Sequence, residues 1–193
     1  MNAFQLNTLI EEPVFIQLAQ CMREVRAGRQ VPDFANIDLM DTYEIAPQMF
    51  ILDVVRPDYR FKVRYAGSSL RDVFGWEATG QFLDEIDLGP FGGKILDAYR
   101  RVATTEEPLF TCGTMVARGP LAREGEEFHP VAMKRIAFPA RGRSGGIDHI
   151  IGALVRSKVG TSAVPFVLEP VPELRLWRLA DAGHGVISEA EPS

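Results

Sequence analysis

Tyr59–Ile86 reads YRFKVRYAGSSLRDVFGWEATGQFLDEI. In its first third Phe61, Val63 and Tyr65 alternate with Arg60, Lys62 and Arg64, the period-two pattern of a strand buried on one face. Ser68-Ser69 then stands where a helix cap is needed, SLRDVFG follows, and Gly75 lies where such a helix would stop. Thr79-Gly80 punctuates the chain again. The stretch therefore runs from a strand through a small-residue corner into short helical pieces. It shows no obvious nucleophile, metal-ligand set or phosphate loop, so its expected task is to shape a space rather than to do chemistry in it.

Upstream, MFILDVV (Met49–Val55) is an apolar run of strand length, and Arg56-Pro57-Asp58 is a turn signal, so 49–67 reads as an antiparallel hairpin. Downstream, Gly89–Thr105 reads as a helix with Ile95, Ala98, Tyr99 and Val102 on one side. Three further strands follow at Leu109–Ala117, Phe128–Pro139 and Ile147–Val159, joined by a charged loop at 118–127 and by the turn ARGRSGG. Short connections between strands imply an antiparallel sheet, and the fold class is α+β with five strands and helices on one face.

Met49–Val55 and Ile150–Val155 are apolar at both parities, which is the mark of strands covered on both sides. The block of helices can cover only one of them. Upstream, Pro13–Arg29 reads as a helix, opened by Pro13 and closed near Gly28, with Phe15, Leu18, Met22 and Val25 spaced 3, 4 and 3 apart. That stripe has two destinations, its own sheet or a second copy of the chain. The expectation is the second, a homodimer in which Phe15, Leu18, Met22 and Val25 join the outer face of the sheet in a self-complementary interface.

The 193 residues carry a net charge of −5 and 46% apolar residues, at a mean hydropathy of −0.02. This is the composition of a globular domain. It speaks against a dedicated nucleic-acid surface, which would be basic. No apolar run reaches the roughly 20 residues that span a bilayer, and the N-terminus lacks the pattern of a secretory signal. Cys21 and Cys112 are too far apart to suggest a disulfide framework. A cytoplasmic location follows as an expectation. Residues 1–30 read as a flanking helix, 31–159 as the domain, and the Pro-rich 160–193 as an extension, partly disordered, in which Glu173–Asp181 is a candidate helix presenting Leu174 and Trp177 to a partner.

This order of elements resembles the PAS fold from about Met49 to Val159. More narrowly, Leu52-Asp53, Arg64-Tyr65-Ala66-Gly67, Phe74-Gly75 and Thr79-Gly80 resemble, in that order, the motifs of the short stand-alone PAS proteins of alphaproteobacteria. The Trp that this group often carries near its N-terminal segment is missing; the first Trp is Trp76. The resemblance implies a sensory or protein-interaction module, not an enzyme, that holds a ligand between sheet and helices or dimerises through flanking helices. It also implies that output passes through another, unknown signalling protein.

Flavin photosensors of that fold need a cysteine just before the long helix, and Phe82–Lys94 has none. Haem-binding members commonly offer a histidine from that helix, and 89–105 has none. No cofactor is therefore expected, although an unknown small molecule is compatible with the fold. His129 and His149 open strands and read as polar end residues rather than as metal ligands. GPFGGK (Gly89–Lys94) lacks the spacing and the Ser/Thr of a phosphate loop.

The candidate ligand residues are Phe61, Val63, Arg64 and Tyr65 on the second strand, Tyr99 on the long helix, and Met115 and Met133 on later strands. Plain core packing explains most of them equally well. A buried tyrosine hydroxyl, however, needs a partner. Two rival readings stay open. One is an enzyme on a cone-shaped α+β fold with Asp53 and Arg64 or His129 as an acid–base pair. The other is a dimerisation module without a ligand.

Overall fold

The computed structural model describes residues 12–74, 77–86, 88, 92–117, 129–157 and 167–170. Helix α1 (Pro13–Arg26) leads through single turns of 3-10 helix at Phe34–Asn36, Leu39–Thr42 and Ala46–Gln48 into β1 (Met49–Val55) and β2 (Arg60–Ala66). Helix α2 (Ser68–Phe74), a turn at Leu83–Glu85 and helix α3 (Gly92–Thr105) follow, and then β3 (Leu109–Ala117), β4 (His129–Arg141), β5 (Ile147–Ser157) and β6 (Val167–Pro170). The strands form one antiparallel sheet in the order β2-β1-β5-β4-β3-β6. The sixth strand lies in the Pro-rich extension and pairs with the free edge of β3. A strand that ends on Pro170 suits an edge, since proline has no N–H to give a further neighbour.

Both faces of the sheet are covered, as the two-sided apolar strands require. The inner face packs Phe50, Leu52, Phe61, Val63, Met133 and Ile150 against Ile95, Tyr99 and Val102 of α3. The outer face packs Met49, Ile51, Phe110, Ile136, Phe138 and Ile151 against Phe15, Leu18, Ala19 and Met22 of α1. The stripe of α1 is thus taken up by its own sheet. Phe15 and Leu18 are 0% exposed and Met22 is 1% exposed, and only Val25 toward the end of α1 is partly exposed. This corrects the placement of a dimer interface on these residues. Burying such a side chain stabilises by about 1.5–3 kcal/mol, and inside a single chain that gain carries no cost of association. Lys134 reaches across from β4 to Glu12 at 2.7 Å and fixes the start of α1. The helix ends at Arg26, three residues before the expected Arg29, where Ala27 (φ 49°) and Gly28 (φ 83°) turn left-handed.

The corner that follows β2 has a steric cause. A side chain on Gly67 would run into the carbonyl oxygens of Ala46 and Pro47, and Gly67 N donates to Met49 O at 2.8 Å. Only glycine lets the chain pass this close to the entry of β1 before it starts the roof. Gly75, the loop 118–127 and the candidate helix 173–181 with Trp177 fall outside the described residues.

Candidate functional site

Between the inner face and the helices lies a cavity of about 40 Å³. Its floor is the sheet: Phe50 and Leu52 of β1, Val63 of β2, Leu154 of β5 and Arg135 of β4. Its walls and roof come from Leu70, Ala78, Leu83, Ile86, Leu88, Ile95 and Tyr99. The roof is tied down along the β2 edge. Val63 N donates to Gln81 O at 2.8 Å and Gly80 N to Val63 O at 2.7 Å. Arg60 grips Asp84 with two bonds, Nε to Oδ2 at 2.7 Å and a terminal nitrogen to Oδ1 at 3.0 Å, while its guanidinium lies 3.9 Å from the Phe82 ring centroid. The opening stretch of sequence therefore builds both floor and roof. Gly152 of β5 contributes by omission, because a side chain there would occupy the place of the Phe50 ring.

Of the expected ligand residues, Val63 and Tyr99 line the cavity. Phe61 and Met133 belong to the same core layer behind it; Phe61 packs against the Tyr99 ring at 5.7 Å between centroids. Burial pushes the Tyr99 hydroxyl's pKa up, and the charge of Arg135 offsets part of that rise. The side chain of Met115 falls outside the described residues.

Arg64 and Tyr65 are on the other side of the sheet. Leu52 pairs with Val63 but Ile51 pairs with Tyr65, so Arg64 is the extra residue of a β-bulge. One inserted residue flips the parity of everything beyond it. Tyr65 therefore joins the outer core beside Ile51, where its hydroxyl donates to Ala46 O at 3.0 Å. The alternation that groups Phe61, Val63 and Tyr65 carries no sign of this shift.

Asp53 also lies on the outer face. Arg64 Nε donates to its Oδ1 at 2.6 Å, and His149 Nδ1, from the paired position on β5, lies 2.9 Å from the same oxygen. Phe34 stacks on the His149 ring at 3.9 Å between centroids. This is a polar cluster at the side of a broad open cleft of about 860 Å³. The enzyme reading paired Asp53 with Arg64 or His129, and the side chain of His129 falls outside the described residues. Asp53 does pair with Arg64, and with His149 beside it, but on the outer face and away from the inner cavity. Among the described residues no group of three His, Cys, Asp or Glu side chains could hold a metal ion, and no helix is long and apolar enough to cross a membrane.

Two features of the site escape a linear reading. Leu39, Met40 and Tyr43 stand 43%, 73% and 66% exposed on one short turn before β1. The other is Arg135, which is 6% exposed on the cavity floor. Its Nε is buried without a hydrogen-bond partner, and its guanidinium carbon lies 5.8 Å from the Tyr99 ring centroid. Period two places Arg135 on the face of Met133. A charged residue in phase with core positions was the signal that could have found it.

Comparison with known proteins adds a family. A family model described as a PAS domain matches residues 10–155. No curated protein matches the chain. Among solved structures the chain is similar to VqmA bound to DPO, at 16% identity and a TM-score of 0.46, covering 63% of this chain and 57% of that one. It is similar to the Vibrio cholera VqmA–ligand–DNA complex at 12% identity and a TM-score of 0.46, covering 80% and 60%. It is also similar to a light-oxygen-voltage domain studied with a flavin analogue, at 14% identity and a TM-score of 0.41, covering 65% and 87%. The chain thus spans about three fifths of the length of the two VqmA structures.

Proposed function

The chain belongs to the PAS domain family, and from that premise we propose that it is a sensory module that binds a small metabolite between sheet and helices and passes its state to a partner protein. The observation that carries this reading is the cavity itself: apolar walls, one buried polar group on its floor, and a roof held by Arg60 and the Val63 backbone to the same edge strand. Concave, mostly apolar sites with a few convergent polar groups are the usual form of a small-molecule site. A ligand under this roof alters the contacts of Leu83 and Ile86, and through Asp84 and Arg60 it alters the outer edge of the sheet. The exposed Leu39, Met40 and Tyr43 are a suitable surface for the partner, since aromatic residues and Met are enriched at interfaces. Self-association belongs to the same reading, through a surface other than the buried stripe of α1.

Native mass spectrometry of the full chain, isolated from cells without denaturation, tests the proposal. A retained small molecule is expected, and it should be lost from Ala78→Leu, which fills the cavity. Should wild-type protein carry no small molecule, and should a cellular metabolite extract raise its Tm no more than that of Ala78→Leu, the sensory reading is wrong.

A further inference from the structure

The cavity has a chemistry as well as a shape. Its walls are hydrocarbon, yet its floor carries the guanidinium of Arg135, 6% exposed. Among the described residues no carboxylate pairs with it, and its Nε makes no hydrogen bond. The other cavity-side neighbours do not neutralise it. Thr111 and Leu154 lie opposite it on β3 and β5, and Tyr99 meets it with a ring. A buried charge with an unused donor is unfavourable unless something completes it. Arginine presents a planar fork of N–H donors that matches a carboxylate. Apolar surroundings exclude a bare inorganic anion, which would lose its hydration on every other side.

We propose that the cavity takes a short-chain organic monocarboxylate, its carboxylate on Arg135 and its hydrocarbon body between Leu52, Ala78, Leu83 and Ile95. This rests on the metabolite-binding reading above and specifies its ligand class. Space of about 40 Å³ holds about three water molecules, which corresponds to a whole acid of roughly three to five carbons, its carboxylate included. The ligand supplies the missing acceptor to Arg135 and fills the space beneath Leu83 and Ile86 in one step. Charge recognition and roof closure are thereby coupled.

Calorimetric titration and Tm measurements on the full chain test this with butyrate as the probe, flanked by the C2 to C6 acids. Butanol and butyramide serve as uncharged counterparts, and inorganic phosphate as an anion without a hydrocarbon body. A three- to five-carbon acid is expected to bind about tenfold or more tightly than its uncharged counterparts, in keeping with a hydrogen-bonded charge. Phosphate is expected to leave the Tm unchanged. In Arg135→Met that preference for the acid should vanish, while the ligand-free Tm stays equal to or above that of wild type. Arg135→Gln, which keeps a donor without the charge, should retain the fold and lose most of the affinity. Equal binding of butanol and butyrate, or an unchanged preference in Arg135→Met, overturns the carboxylate assignment. Unfolding of both variants does the same, by making Arg135 a structural residue. A molecule of another class retained in native mass spectrometry overturns it too, while leaving the metabolite-binding reading standing.

Discussion

On the outer face of the sheet Phe15, Leu18, Phe110, Ile136, Ile151 and Ala153 are all 0% exposed, and α1 closes over them. On the inner face, strands of the same composition leave a cavity of about 40 Å³ and an arginine whose Nε has no partner. The residues available to the two faces differ little, since β1 and β5 supply both. The difference is that the outer face is packed for stability, whereas the inner face gives up packing and solvation where a ligand would restore them. Local departures from good packing are expected at functional sites, and the inner face shows one at Arg135 and the cavity beside it.

Several substitutions can break or sharpen that contrast. The largest effect is expected on the outer face. Phe15→Ala should cost about 3–5 kcal/mol of unfolding free energy in urea titration, because the space cannot collapse between α1 and Phe110, whose ring stands edge-on at 6.2 Å. A loss below about 1.5 kcal/mol would mean that α1 is only loosely attached. Adding volume should then separate the faces directly. Ala153→Leu, in the closed outer core, should cost about 1–3 kcal/mol. Ala78→Leu at the cavity should change the same measurement by less than about 1 kcal/mol, since it enters existing space. Equal losses at both positions would remove the distinction.

Arg135→Met should raise the ligand-free stability by about 1 kcal/mol or more, as replacement of buried charges by apolar groups of similar volume often does. A fall of that size would assign Arg135 to the fold instead. The smallest effect concerns the turns that join β1 to β2 and β4 to β5. Asp148 bonds Arg56 at 2.7 Å and the Ser144 hydroxyl at 2.5 Å. Burial tends to raise its carboxyl pKa, but these bonds prevail and hold it below the ordinary 3.8. The folded chain therefore binds this proton more weakly than the unfolded chain. The stabilisation is full above about pH 4 and is lost as the pH falls through the lowered value. Asp148→Asn should remove about 0.5 kcal/mol at pH 7 and flatten that part of the acid limb of a Tm–pH profile.

Much of the fold was legible. The period of Arg60–Tyr65, the turn signals and the stripe of α1 depend on local sterics and on which side chains avoid water. The residues report such features directly, and the structure keeps every strand expected between Met49 and Val159. The site was legible only in part. Val63 and Tyr99 were found because they lie in phase with a core face. Tyr65 was misplaced because a β-bulge at Arg64 inverts parity, and a bulge is decided by the partner strand. His149 was passed over in favour of His129 because the pairing of β1 with β5, 96 residues apart, brings it to Asp53.

By itself the sequence determined that one sheet would be buried on two sides, that a short helical block would roof one of them, and that a glycine corner would start that roof. These are consequences of hydrophobic periodicity and backbone sterics, which act over a few residues. Tertiary structure alone decided that α1 folds back on its own sheet, that an edge strand in the extension completes it, and that Arg135 is enclosed with its Nε unpaired. Whether a charge is satisfied depends on every element packed around it, and no window of sequence contains those neighbours.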